Sequence, residues 1–138
     1  MPANNNFKTR IGGALAISFG LAAAPASGRD VDELQPIQVG LASWYGEEVA
    51  VGKENGRLVY NDTASGDPFN PNIISAAHRT LPLGSCVLVK TEDRSLEVTV
   101  NDRGPAAWTG KIIDISRKGA EVLGFKDDGK ARVELYPC

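Results

Sequence analysis

Residues 86 to 105 read CVLVKTEDRSLEVTVNDRGP. Leu96, Val98 and Val100 alternate with Glu97 and Thr99, the period of two expected of a strand with one buried face. Cys86 to Thr91 is a second short run of the same character, and Glu92-Asp93-Arg94-Ser95 between them is turn chemistry. The stretch therefore predicts a β-hairpin. Beyond it, Asn101-Asp102-Arg103-Gly104-Pro105 breaks the apolar pattern with polar and turn-forming residues.

Working outward, Val39 to Tyr45, Ile112 to Ile115 and Ala131 to Tyr136 are further short apolar runs separated by turn residues. Each is too short for an independent helix and suits a strand. Trp44 and Tyr45 are neighbours in the first of these and so face opposite ways, which lets Trp44 pack the core while Tyr45 meets a ligand. One helix is expected, opening after Ile115 with Ser116 as N-cap and closing at Leu123 with Gly124 as the left-handed C-terminal residue. Gly46 to Pro71 is rich in Gly, Asn, Asp and Pro and reads as long surface loops, the places where function tends to concentrate.

The first 26 residues are set apart by composition. Lys8 and Arg10 lie in a polar start, Ile11 to Ala24 is apolar or small, and Ala24-Pro25-Ala26 offers a small-x-small cleavage site before Ser27. Fourteen residues fall short of the roughly 20 a membrane-spanning helix needs. A cleaved signal peptide over 1–26 is expected, then a flexible lead-in over 27–38 and one domain over 39–138. The expected location is periplasmic or secreted, with no membrane anchor after cleavage. A monomer is expected.

Removing Lys8 and Arg10 from the 15 basic residues leaves 13 against 17 acidic, a net charge of −4. That balance argues against a nucleic-acid partner, which needs a basic surface to neutralise phosphates. The two cysteines, Cys86 and Cys138, both fall in the exported part, and an even count in an oxidising compartment points to one disulfide, with a pair of buried free thiols as the alternative. No metal is expected. His78 is the single histidine, so a four-ligand zinc sphere lacks its usual donors.

Five ordered blocks carry a family likeness. Ala42-Ser43-Trp44-Tyr45-Gly46, Thr63-Ala64-Ser65-Gly66-Asp67-Pro68-Phe69, Ser75-Ala76-Ala77-His78-Arg79-Thr80-Leu81-Pro82-Leu83-Gly84, Val100-Asn101-Asp102-Arg103-Gly104-Pro105 and Ile112-Ile113-Asp114-Ile115-Ser116 resemble the successive signatures of the RlpA-like lytic transglycosylases. More distantly the chain resembles the first domain of expansins, barwin-type proteins and family 45 endoglucanases. The resemblance implies a mainly β fold, a six-stranded double-psi β-barrel with one or two short helices. It also implies an open groove for a peptidoglycan glycan strand, and no cofactor.

The implied reaction is cleavage between N-acetylmuramic acid and N-acetylglucosamine, leaving a 1,6-anhydro end. Carried over residue by residue, the family's essential positions fall on Asp67, His78 and Asp102, with Asp67 standing where the family commonly has Glu. In such a reaction the nucleophile is the sugar's own C6 hydroxyl, so no second carboxylate is needed to activate water. Asp102 would protonate the leaving oxygen and then take the hydroxyl proton, provided its surroundings keep it protonated at the start. Trp108 or Tyr45 would supply an apolar setting, and Asp67 or Asp114 a neighbouring charge. His78 would orient Asp102 or a sugar hydroxyl. Tyr45, Arg103, Asp114 and Trp108 are the candidate substrate-binding residues. Against the family pattern, Gly52 to Asp62 looks like an insertion that reshapes one wall of the groove.

Two other functions fit the same blocks. One is a non-catalytic, expansin-like module that binds glycan and loosens the wall. The other is a hydrolase, which needs a second carboxylate across the scissile bond.

Overall fold

A computed structural model of the protein describes residues 34–138; the expected signal peptide and most of the lead-in lie outside the described residues. Six strands close into a barrel: β1 (Gln38–Tyr45), β4 (Ser75–Ala77), β5 (Cys86–Lys90), β6 (Ser95–Asp102), β7 (Lys111–Ser116) and β8 (Lys130–Pro137). Two further strands, β2 (Gly52–Glu54) and β3 (Arg57–Val59), form a separate hairpin. Around the barrel the order is β1-β7-β4-β6-β5-β8. Two of its pairings, β1 with β7 and β4 with β6, are parallel, and the rest are antiparallel. The mainly β, six-stranded barrel expected from the sequence is the fold observed.

Alternation explains which faces turn inward. Val87 and Val89 on β5, Val98 and Val100 on β6, Ile113 and Ile115 on β7, and Val133 and Leu135 on β8 fill the interior. Each such side chain contributes about 1.5–3 kcal/mol of burial. The β5–β6 hairpin pairs Val87 with Val98 and Val89 with Leu96, and the Thr91 N–H donates to the Arg94 carbonyl at 2.8 Å across its turn. On β1, Ala42 is fully buried and Trp44 packs on the core, which leaves Ser43 and Tyr45 on the opposite face.

The helix, α1 (Arg117–Leu123), has the expected ends. Ser116 Oγ accepts from the Gly119 N–H at 3.3 Å, and Gly124 has φ 86°. The same hydroxyl donates to the Ile73 carbonyl at 2.6 Å and accepts from the Ser75 N–H at 3.2 Å, so the cap also stitches down the approach to β4. Gly119 permits the close packing of helix on strand: a Cβ there would lie 2.5 Å from Ile115 Cγ2.

Three expectations are corrected. The segment 46–71 is not all loop, since it holds a short 3-10 turn, Glu47–Val49, and the β2–β3 hairpin. Asn55-Gly56 makes that hairpin, with φ of 49° and 79°, the paired positive angles of a tight two-residue turn. The sixth barrel strand, β4, escaped the search for apolar runs because it is three small residues long, all buried. Order also begins earlier than Val39: β1 starts at Gln38, and the Ile37 N–H donates to the Leu135 carbonyl at 2.7 Å.

Cys86 and Cys138 are joined by a disulfide with Cα atoms 5.7 Å apart. Pairing of Val87 with Pro137 brings the two cysteines together. Among the described residues no helix is long and apolar enough to cross a membrane.

Candidate active site

The β1, β7, β4 and β6 strands line up one rung of polar residues on the outer face of the barrel. Ser43 pairs with Asp114, Asp114 with Ala77, and Ala77 with Asp102. The last pairing depends on a register shift: Ala76 faces Val100 but Ala77 faces Asp102, so Asn101 is an extra residue in β6. Without that bulge, Asp102 would share the inward phase of Val98 and Val100. With it, the side chain turns to the outer face, a re-aiming for which bulges are suited.

Asp102 Oδ1 accepts two backbone N–H groups, from Ala64 and Arg103, both at 2.9 Å. The first of these docks the Thr63–Asp67 loop on the end of β6, and the Ser65 N–H adds a bond to the Asn101 carbonyl at 3.1 Å. Among the described residues Oδ2 has no hydrogen-bond partner.

Asp114 lies between the buried Ile113 and Ile115 and accepts from Ser43 Oγ at 3.0 Å. Burial pushes its carboxyl above the ordinary carboxylate value; the Ser43 bond and the Lys111 cation pull down, and Glu48 adds a small upward push. Asp114 is therefore held towards its acid form.

Tyr45 sits two residues along β1 from Ser43, on the same face. Its hydroxyl is buried and, among the described residues, has no hydrogen-bond partner. Burial first, then the charges of Asp102 and Asp114, raise its pKa beyond the usual tyrosine value. The phenol thus stands in the fields of both carboxylates. Its ring stacks on Phe69, with centroids 4.3 Å apart.

His78 is brought to the same strand ends, but its ring is engaged elsewhere. It is 5% exposed, and its Nδ1 accepts from the Thr80 and Leu81 N–H groups, each at 3.1 Å. Nε2 must then carry the proton, which it donates to Gln38 Oε1 at 2.7 Å. Burial, then Arg79 and Arg103, lower its pKa and keep the ring neutral. Only the His78 backbone N–H touches Asp102, donating to its carbonyl at 3.1 Å. The imidazole organises the 78–81 turn and ties it to β1.

Arg103 is exposed, and its guanidinium bonds the same turn. Its Nη1 donates to the His78 carbonyl at 3.1 Å and the Leu81 carbonyl at 2.8 Å. Asp67 contributes its backbone, with its carbonyl accepting the Thr63 N–H and Oγ1 at 2.7 and 2.9 Å, while its carboxylate is exposed. Trp108 is 88% exposed on the 3-10 turn Ala107–Thr109, so it is not an apolar wall over Asp102.

Ser43 and Phe69 are site residues that sequence reasoning passed over. Parity along β1 was the available signal for Ser43, since Tyr45 on the same face was already singled out. For metals, the described residues bring together only Cys86, Glu97 and Cys138, and the disulfide removes both thiolates as ligands.

A family model described as "Lytic transglycolase" matches residues 37–135. The Endolytic peptidoglycan transglycosylase RlpA of Rickettsia bellii is 47% identical over 100 residues, covering 71% of this chain and 41% of that protein. Its namesake in Rickettsia typhi is 45% identical over 104 residues, covering 72% of this chain and 30% of that one. This chain thus spans less than half the length of these relatives. Among solved structures, the Streptomyces papain inhibitor superposes with a TM-score of 0.53 at 19% identity, over 75% of this chain and 96% of that one, a likeness of fold.

Proposed function

The chain belongs to the lytic transglycolase family of double-psi β-barrels, and from that premise we propose that it cleaves peptidoglycan glycan strands between N-acetylmuramic acid and N-acetylglucosamine, leaving a 1,6-anhydro end. The observation that carries this reading is the rung itself: two carboxylates with unlike surroundings, Asp114 held towards its acid form and Asp102 fixed by two backbone amides. Such division is how one site supplies both an acid and a base.

In this reading Asp114 protonates the glycosidic oxygen as the bond to C1 breaks. Asp102 accepts the proton of the C6 hydroxyl through its open Oδ2 as that oxygen bonds to C1. The strand is cut and no water is consumed. Asp102 also faces the positive charge that builds at C1. The Tyr45 hydroxyl, buried and without a hydrogen-bond partner among the described residues, stands in the fields of both carboxylates. His78 and Arg103 hold the 78–81 turn, and the exposed Asp67 and Trp108 side chains meet the strand further out. Asp114, named from the sequence as a substrate-binding residue and as a charge beside Asp102, takes the acid's part originally expected of Asp102. The leader over 1–26 belongs to the same proposal, as the means of delivery to the wall.

Incubation with peptide-free peptidoglycan strands, followed by mass analysis of the soluble products, tests it. Anhydro ends are expected. Products heavier by one water would make the protein a hydrolase, and retention on the strands without release would make it a binding module.

A further inference from the structure

The aromatic row that begins at Tyr45 does not stop at Phe69. Tyr60 meets the edge of the Phe69 ring, with centroids 5.4 Å apart and planes at 80°. Tyr60 and Phe69 together line an open cleft of about 910 Å³ whose other residues come from the β2–β3 hairpin, from Pro68–Asn72 and from Glu47 on the 3-10 turn. One buried ring therefore separates this cleft from the hydroxyl that faces Asp102 and Asp114. The wall carrying Phe69 is firmly held: the Phe69 N–H donates to the Asn61 carbonyl at 3.0 Å, and Asp62 is bridged to Pro68.

The hairpin is paired only with itself, and Gly52, Lys53, Glu54, Arg57 and Leu58 are all exposed. It adds nothing to the barrel interior, and a lone two-stranded hairpin is marginal in water. Its effect is to supply a wall. Of the cleft's charges, Glu47 is ion-paired with Arg117, which also bonds Asn72 and lies beside Glu121, and Glu54 stands opposite Arg57 in the hairpin register without an ion pair to it. Arg57 has no ion pair or hydrogen bond among the described residues. Aromatic rings, side-chain amides and one uncommitted guanidinium are suited to a sugar that carries a carboxylate.

We propose that this cleft is a saccharide subsite of the same groove, in which Arg57 pairs with the lactyl carboxylate of a peptide-free N-acetylmuramic acid residue. The proposal rests on peptidoglycan being the substrate and deepens that reading. The lactyl group is what separates this sugar from N-acetylglucosamine, so Arg57 sets which sugar of the alternating strand lies here. Register along the strand follows from that choice.

The test uses the full chain carrying Asp102→Asn, so that bound glycan is not turned over, and titrates it by calorimetry. The ligands are peptide-free strands, strands that keep their stem peptides, and chitooligosaccharides of equal length, which lack the lactyl group. Adding Arg57→Ala should weaken binding of peptide-free strands about tenfold and leave chitooligosaccharide binding unchanged. Arg57→Lys should recover part of the loss, and the melting temperature should not move. Equal weakening of both glycans, or of neither, overturns the subsite. A larger loss for peptide-bearing strands than for peptide-free ones also overturns it, since the carboxylates read would then belong to the peptide. Product analysis with the unmutated protein stands apart: absence of anhydro ends would remove the catalytic reading and leave the Arg57 result in force.

Discussion

Asp102 and Asp114 are in register with the same residue, Ala77, from the two strands that flank it. Neighbouring strands lie roughly 4.8 Å apart, so the two backbones are roughly 10 Å apart with β4 between them. Long-range pairing alone creates this geometry. It places two carboxyl groups on either side of a strand of three small residues.

Asp114→Asn is expected to abolish anhydro product, lowering release by at least about 100-fold, because the donor proton is lost. The fold should not suffer, since an amide oxygen can still accept from Ser43. In the wild type the raised Asp114 pKa means that the folded chain holds this proton more tightly than the unfolded one. Stability therefore declines as pH rises from the ordinary value of 3.8 through the raised one. Melting curves across that range should flatten in the variant, with a neutral-pH melting temperature equal to or above the wild type. Release by the wild type should fall as pH rises through the same raised value.

Asp102→Asn and Asp102→Ala should separate two duties. Both remove the base and should stop release. Only the alanine variant also strips the acceptor from the Ala64 and Arg103 amides, so it alone should unfasten the Thr63–Asp67 loop. Faster hydrogen exchange at Ala64 in the alanine variant, against wild-type protection in the asparagine one, is the expected readout.

His78→Ala should act mainly on the fold. It leaves the Thr80 and Leu81 amides and the Gln38 oxygen without their partner in a buried site, at a cost of about 1–3 kcal/mol. The lowered pKa of the wild-type ring has a definite sign: its stabilising effect is present above 6.5, and is lost as pH falls through the depressed folded value. Urea titrations should show this acid-side loss in the wild type and its absence in the variant. Unchanged stability of the variant would contradict the structural role.

Reduction of Cys86–Cys138 opens a loop of 52 residues, which in the chain-entropy model is worth roughly 4 kcal/mol. The melting temperature should drop by roughly 15 to 30 °C on that scale. Because Val87 and Val89 still pair with Pro137 and Leu135, the reduced protein should keep its β circular-dichroism signal at low temperature.

Where a residue's neighbours in the chain were also its determinants, its place was legible in the sequence. The β5–β6 hairpin followed from the alternation of Leu96, Val98 and Val100, and α1 from Ser116 and Gly124 at its ends. Parity alone put Trp44 and Tyr45 on opposite faces. The Asn55-Gly56 hairpin was equally local, and the dipeptide was its signal. Ser75–Ala77 was harder, since three small residues carry no period.

What the chain alone determined, then, is five of the six barrel strands, the helix caps and the inventory of polar residues, because backbone preference and side-chain alternation act over a few neighbours. The tertiary structure decided which of those residues meet. Ser43 reaches Asp114 across 71 positions only because the barrel closes, and Asp102 faces outward only because pairing with β4 leaves Asn101 as an extra residue. It also decided that burial raises the pKa of Asp114 and where the imidazole bonds. Burial and hydrogen-bond partners belong to the packed assembly, and no window of sequence contains them.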